Sequence, residues 1–336
     1  MLNGGRKGSV LVAVLWSLYF LGALALVINV LVTPQLELAA KLRDRAVLRY
    51  LAKAGIERAI LELRADETEE YDTLNESWSN NEEGLKQIDV SDEGCASLQY
   101  IHFEDVEEEG ITRYGLIDEE RKINLNSASK EILKNFFEIV TETSDKDAAD
   151  IAAAIIDWRD ADDDPVKNGA ESYYYEALED GYPCKNAPFE AVEELLLVKG
   201  VTQGIFDAVK SRVTVYGRGQ VNINTADLLV LQSLGMSQVL AGKVIEYRSG
   251  NDGQEGTEDD NPFESPGEVI AKVSSVRGLL PEEKETLEAL MEEERIGVRS
   301  QNFHGYAVGQ FYDLSNAVGI EFIINRDRRI RYWRED

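Results

Sequence analysis

The chain has 336 residues and a formal net charge of -28, enough length for about two ordinary domains besides any anchor. Acidity of this degree repels nucleic acid and anionic membrane surfaces over unscreened distances, which argues against polyanionic partners and suits divalent cations. The two cysteines, Cys95 and Cys184, allow either one disulfide or two free buried thiols, and the sequence does not choose between them.

Residues 9–32 carry no charged side chain and predict a helix of roughly 36 Å, sufficient for a hydrocarbon core of about 30 Å. The short leader MLNGGRKG precedes them, and its Arg6 and Lys7 put the N-terminus in the cytoplasm and the chain beyond Thr33 outside it. A secretory signal peptide is the alternative, with Ala23-Leu24-Ala25 as its cleavage site. Cleavage there would leave an apolar start to the mature chain, which favours a retained span. Residues 33–65 turn amphipathic, with Leu36, Ala40, Val47, Leu51, Ala54 and Leu61 near one face. A helix running on to Ala65 would be on the order of 85 Å long, and Pro34 and Gly55 are its candidate bends.

Residues 66–94 are rich in Glu, Asp, Asn and Ser and read as a solvated loop. Residues 98–103 and 112–117 are strand-like, separated by an acidic turn at 104–110, and three more strand-like runs follow at 303–312, 318–325 and 329–333. Between these β segments the pattern is helical and repeats itself. Ile123-Asn124-Leu125-Asn126-Ser127-Ala128 is echoed by Val221-Asn222-Ile223-Asn224-Thr225-Ala226. Asp157-Trp158-Arg159 is echoed by Glu246-Tyr247-Arg248, and Pro188-Phe189-Glu190 by Pro262-Phe263-Glu264. The blocks keep one order while the loops between them differ in length. Ser127 and Thr225 are expected helix N-caps, and the paired asparagines suit turns in which side-chain amides satisfy backbone groups.

The expected class is α+β: a long N-terminal helix packed on one antiparallel sheet, with a large helical insertion. The divisions are residues 1–8, a helix over 9–65, a split α/β domain of 66–121 and 299–336, and an inserted domain of 122–298 made of repeats 122–216 and 217–298.

Asp160, Asp162, Asp164, Val166, Asn168 and Glu171 fall at relative positions 1, 3, 5, 7, 9 and 12, the ligand spacing of an EF-hand loop. Pro165 stands where that loop requires glycine, so only a cation loop of different turn geometry is open. Carboxylates packed this closely repel one another without a counter-ion. The corresponding loop of the second repeat offers Glu255, Glu258, Asp259 and Asp260 as a lesser candidate. Zinc is disfavoured, because His and Cys are not clustered.

The leader ending in Gly8, the apolar start at Ser9, the long helix, the INLNSA and VNINTA repeat and the DWRDADDDP segment together resemble the general secretion pathway protein K family of type II secretion minor pseudopilins. The resemblance covers essentially the whole chain. It implies a pilin-like sheet carrying an inserted domain of helix-hairpin-helix-like (SAM-like) repeats, and cleavage by prepilin peptidase between Gly8 and Ser9 with N-methylation of Ser9. It further implies calcium near Asp160 to Glu171, and a single-pass inner-membrane protein with its C-terminal domains in the periplasm. Its implied partners are the other minor pseudopilins and the major pseudopilin. Major pilins carry glutamate at the fifth mature residue, where this chain has Ala13. A subunit without that carboxylate leaves no buried charge waiting for a neighbour above it, which fits the family's place at the pseudopilus tip.

Two other functional classes fit the residues less well. Residues 221–248 also resemble the tandem helix-hairpin-helix domains of DNA-uptake receptors, but the hairpins Gly200-Val201-Thr202 and Gly235-Met236-Ser237 each lack a second glycine, and basic surroundings are missing. An enzyme is disfavoured too: His102 and His304 are the only histidines, and neither has a nucleophile or metal-ligand pattern beside it.

Overall fold

The computed structural model describes residues 6–66, 68, 70–102, 111–313 and 316–336. The first residues of the leader and the acidic turn at 104–110 lie outside the described residues. A single helical rod opens the chain, built from α1 (Arg6–Val27), a π-helical turn (Ile28–Val32) and α2 (Thr33–Ala65). The wide turn sits just before Pro34, with the Thr33 amide donating to the Ile28 carbonyl. Pro34 has no amide to give and its ring crowds the carbonyl four residues back, so the backbone widens there and the helix continues. From Gly8 the rod is long and apolar enough to cross a membrane by length and composition.

The buried stripe of α2 differs from the expected one. It comprises Leu48, Leu51, Ala52, Gly55, Ile56, Ala59, Glu62 and Leu63, whereas Leu36 and Leu61 are exposed. The stripe keeps strict helical spacing and shares only Leu51 with the expected face. Gly55 bends nothing: a Cβ there would already lie 3.3 Å from Ala307 and 3.4 Å from Ala96, so the residue lets helix and sheet approach.

After the rod come α3 (Glu82–Leu85) and β1 (Ile88–Asp89), then β2 (Gly94–His102), β3 (Ile111–Arg113), β4 (Ile117–Asp118) and β5 (Ile123–Asn124). The segment expected to be a solvated loop is pinned by buried Leu74, Trp78 and Leu85. Strand β2 begins earlier than its β-branched residues suggest, because Gly94 and Ala96 are small residues that fit under α2, against Leu51 and Gly55.

The first repeat holds α4 (Lys130–Thr141), α5 (Asp145–Arg159), α6 (Ser172–Glu176), α7 (Gln203–Val209) and β6 (Val213–Thr214). The second holds β7 (Val221–Asn222), α8 (Leu228–Ser233), α9 (Gln238–Arg248), α10 (Val269–Val276), α11 (Pro281–Glu292) and β8 (Ile296–Gly297). Short parallel pairs β5–β6 and β7–β8 close the two repeats. One apolar core runs through both, including Phe136, Phe137, Ile155, Leu231, Leu240 and Phe263.

The repeated blocks meet in space. Asn126 exchanges two hydrogen bonds with the Phe189 backbone, at 2.7 and 3.0 Å, and Asn224 does the same with Phe263 at 2.9 and 3.0 Å. Arg159 donates to the Leu125 and Ala128 carbonyls, as Arg248 does to Ile223. The helix caps lie two residues beyond those expected: Ser129 accepts from Ile132 and Asp227 from Val230. Thr225 instead donates to Asp118 at 2.6 Å.

The chain then returns as β9 (Asn302–Phe311), β10 (Ala317–Asn325) and β11 (Ile330–Glu335). The antiparallel sheet has the order β1-β2-β9-β10-β11, with β3 on β2 and β4 on β9. Its α2 face alternates through Phe303, Gly305, Ala307 and Gly309, and its core gathers Trp78, Leu98, Phe303 and Phe322 against Ile56 and Ala59.

Candidate metal centre

The acidic loop begins at the last turn of α5. Asp160 closes that helix, its amide donating to the Ile156 carbonyl at 3.0 Å, and Glu171 precedes the first residue of α6. In between, Asp162 accepts from the Asp164 amide at 3.0 Å, and Asp163 from the Ser172 amide at 3.3 Å. Asp157, one turn earlier on α5, accepts from the Val166 amide at 3.0 Å. The backbone must therefore pass close over Asp157. Gly169 makes this possible, since a Cβ there would fall 1.8 Å from the Asp157 carboxylate. Lys199 closes the far side by donating to the Asn168 and Gly169 carbonyls, both at 3.1 Å.

This folding brings Asp160, Asp162 and Glu171 together, with one carboxylate oxygen from each lying within 4.8 Å of the others. Asp164 is not part of that trio; Asn168, exposed and at φ 72°, gives its carbonyl to Lys199. Glu171 is 4% exposed, and neither of its carboxylate oxygens accepts a hydrogen bond. One oxygen each of Asp160 and Asp157 is buried in the same condition. Buried carboxylates are normally hydrogen-bonded or paired, so a hard cation fits the centre: it supplies what these oxygens lack. Burial, then the charge of Asp157, pushes the Glu171 carboxyl up to about 7. Burial followed by Asp162 raises Asp160, and burial raises Asp157. Asp163 is held low by Ser172.

Asp157 was legible only as part of the acidic run, because its place on helix α5 lies outside the loop register. Asn186 and Lys199, which brace the loop through the Asp162 and Asn168 carbonyls, left no signal in spacing.

The second acidic loop is organised differently. Glu255 pairs with Arg248. Asp259 accepts from the Asn251 and Asp252 amides and from Thr257, and Asp260 from the Gly256 amide. Glu258 is exposed. These groups are engaged by the chain itself and form no cluster of three among the described residues. A further trio, Asp66, Asp72 and Glu76, already holds a cation in Arg326, which pairs with Asp66 and Asp72.

Cys95 and Cys184 are both free and buried. No bridge joins them, since Cys95 lies in β2 beside Gln310 and Cys184 in the core of the inserted domain. Burial pushes the Cys184 thiol up to about 12, with the Glu171 charge adding to it. Gly8, Ser9 and Ala13 are exposed on α1, where the Ala13 carbonyl accepts from Ser17 at 2.9 Å. The His102 side chain lies outside the described residues; His304 sits 3.0 Å from Glu321 and 3.8 Å from Glu119. Gly200 and Gly235 take left-handed φ values of 87° and 101°. Beside the first of these turns Glu194 pairs with Lys185, and Lys199 is engaged by the Asn168 and Gly169 carbonyls.

The family described as Type II secretion system (T2SS), protein K matches residues 116–218. A Type II secretion system protein K from Klebsiella pneumoniae is 36% identical over 80 residues, a stretch that spans 23% of this chain and 24% of that relative. In fold, the chain is similar to one in the crystal structure of the GspK-GspI-GspJ complex from the enterotoxigenic Escherichia coli Type 2 Secretion System. The TM-score is 0.62 at 16% identity, covering 91% of this chain and 99% of the other.

Proposed function

We propose that this chain, whose residues 116–218 match the type II secretion system protein K family, is a minor pseudopilin placed at the tip of the pseudopilus. The observation that carries this reading is the union of one apolar rod, a pilin-like sheet laid on its second half and a bulky insertion on that sheet. The rod suits a membrane first and the apolar centre of a fibre afterwards. Ala13 leaves no carboxylate in the apolar first half of that rod to be neutralised by a subunit above, and the insertion gives the subunit a head unlike a stackable pilin. The fold likeness to a chain from a complex of three secretion proteins supports docking with other minor pseudopilins and, below them, the major one. The role is one of assembly, without catalysis.

Processing would occur between Gly8 and Ser9, followed by methylation of Ser9, with the leader in the cytoplasm and the domains beyond the rod in the periplasm of the inner membrane. Mass measurement of the N-terminus tests this, with a methylated chain starting at Ser9 expected and an intact leader or cleavage after Ala25 contradicting it. A pull-down of the exported part against candidate minor pseudopilins tests the assembly role. Tight DNA binding with no protein partner would sink it.

We assign calcium to the centre formed by Asp160, Asp162 and Glu171, with Asp157 as the adjoining buried carboxylate. Oxygen donors alone, on a loop that bends through Gly169, suit a hard ion with flexible coordination. When bound, the ion neutralises the clustered carboxylates and fixes the loop between α5 and α6. Calorimetry on the exported part should show calcium binding that is weakened in an Asp162→Ala, Glu171→Ala variant. Absence of heat with the parent protein ends the assignment.

A further inference from the structure

Cys184 lies directly under the acidic loop. Its Sγ is 3.7 Å from the Asp157 carbonyl and 4.0 Å from that of Ala170, and the residue is 6% exposed. The two carbonyls bracket the loop, one at its entry from α5 and the other beside Glu171. Behind the loop, Cys184 belongs to the apolar core of the inserted domain. The loop in turn is held shut over a carboxylate, Glu171, that is 4% exposed and accepts no hydrogen bond on either oxygen, next to the similarly orphaned oxygens of Asp157 and Asp160. Mutual repulsion among these groups opposes closure, and a bound cation reverses that sign.

We propose that the cation of the acidic loop is a latch over Cys184, so that this thiol is a modification site open to small disulfides only when the cation has left. The proposal rests on the calcium assignment above and adds to it a consequence for the chemistry of the thiol. A cation that binds only the closed loop lowers the open population by the factor 1 + [L]/Kd, and modification that requires opening slows by the same factor when closing outpaces reaction. Calcium at one hundred times its Kd therefore slows Cys184 about a hundredfold.

Cys95 provides the control within the same chain: it is 2% exposed in β2 and belongs to the sheet, so latch opening leaves it sealed. The test uses the full chain in detergent and the aromatic disulfide 5,5′-dithiobis(2-nitrobenzoate). The Cys184 thiolate attacks one reagent sulfur, a protein–nitrobenzoate disulfide forms, the reagent S–S bond breaks, one thionitrobenzoate anion leaves and the thiol proton goes to buffer. Peptide mapping assigns the label to each cysteine across a calcium titration, with calorimetry run in parallel. The expected result is a Cys184 rate that falls as 1/(1 + [Ca]/Kd), with the Kd of the calorimetry, while Cys95 is unchanged. In Glu171→Gln the Cys184 rate should be fast with or without calcium. Calcium heat with a Cys184 rate that ignores calcium, or with both cysteines accelerating together on chelation, overturns the latch and leaves the calcium assignment standing. No heat at all overturns both.

Discussion

Gly169 shows how much of the proposed metal centre depends on an absent side chain. Its α-carbon passes so close to Asp157 that a methyl group would overlap the carboxylate at 1.8 Å. Gly169→Ala should therefore destabilise the inserted domain by about 1–3 kcal/mol and weaken calcium by about tenfold or more, since each tenfold is about 1.4 kcal/mol. A thermal melt and calorimetry read the two effects, and a variant with parental values for both would disprove the close approach. Glu171 gives the centre a pH dependence of definite sign. Its carboxyl titrates at about 7 in the folded chain and near 4.5 when unperturbed, so between those values the folded state keeps a proton that the unfolded state has lost. The stability of the calcium-free protein then falls as pH rises through that window, and calcium, which competes with the proton, binds less well below about pH 7. Melting curves with and without chelator should separate more widely as pH rises; a gap that does not vary with pH removes Glu171 from the ligands. Asp160, Asp162 and Glu171 were legible because ligand spacing is a local property. Asp164 carried the same spacing yet is not part of the trio, its amide donating to Asp162 instead, and the Asn168 carbonyl is taken by Lys199.

Among the elements, the contact of α2 with the sheet is made by small residues facing one another. A Cβ on Gly309 would lie 2.1 Å from the Leu48 carbonyl and 2.5 Å from the Ala52 amide, so helix backbone rests almost on strand backbone there. Gly309→Ala should force the two apart and cost about 1–3 kcal/mol, with increased amide exchange across residues 48–59 as the local signature; unchanged exchange there would refute close packing as the role of this glycine. The same smallness explains what sequence patterns concealed. Propensity reads Val, Ile and aromatic residues as strand, and Gly94 to Ser97 have none, although they occupy a central ladder beside β9. The strands β9 to β11, rich in aromatic and β-branched residues, were plain. The helix caps were misplaced by two residues because Ser127 and Thr225 have the right chemistry, but Asn124 and Asn222 first fold the chain into a turn, their carbonyls accepting from the Ala128 and Ala226 amides.

Across the whole molecule, the split domain and its insertion are joined by a buried polar seam. Asn222 donates to the Asp72 carbonyl, to Asp118 and to Ser300, at 3.1, 3.0 and 2.9 Å. Glu120 accepts from the Asn302 amide and side chain at 3.0 and 2.8 Å. Arg326 neutralises Asp66 and Asp72, whose side chains are 3% and 0% exposed. Arg326→Met should strand both carboxylates in the interior and cost about 3–5 kcal/mol, while adding Asp72→Asn should recover part of that loss. Denaturant melts of the single and double variants test this, and strictly additive losses would show that the pair is not coupled. None of the seam was readable beforehand. The Ser300 amide reaches Asp72 across 228 positions, and no local periodicity records so distant a pairing. The interruption of the split domain by a repeat was readable, because each block has a chemistry that its echo preserves.

The pairing of β2 with β9 sets the order in which the molecule can be completed. Cys95 lies opposite Gln310, and 215 positions separate them, so the central ladder cannot form until nearly the whole chain has been made. Loop-closure entropy alone would oppose this only mildly, since its cost grows with the logarithm of length. The parallel pairs β5–β6 and β7–β8 ease it further: once folded, each repeat brings its own ends side by side, and the long intervening chain behaves as a short connection. The insertion then serves as the splint on which the two halves of the sheet are brought together. Until that happens, the underside of α2, with Leu48, Ile56 and Leu63 waiting for β9 and β10, is an uncovered apolar surface on an incomplete fold.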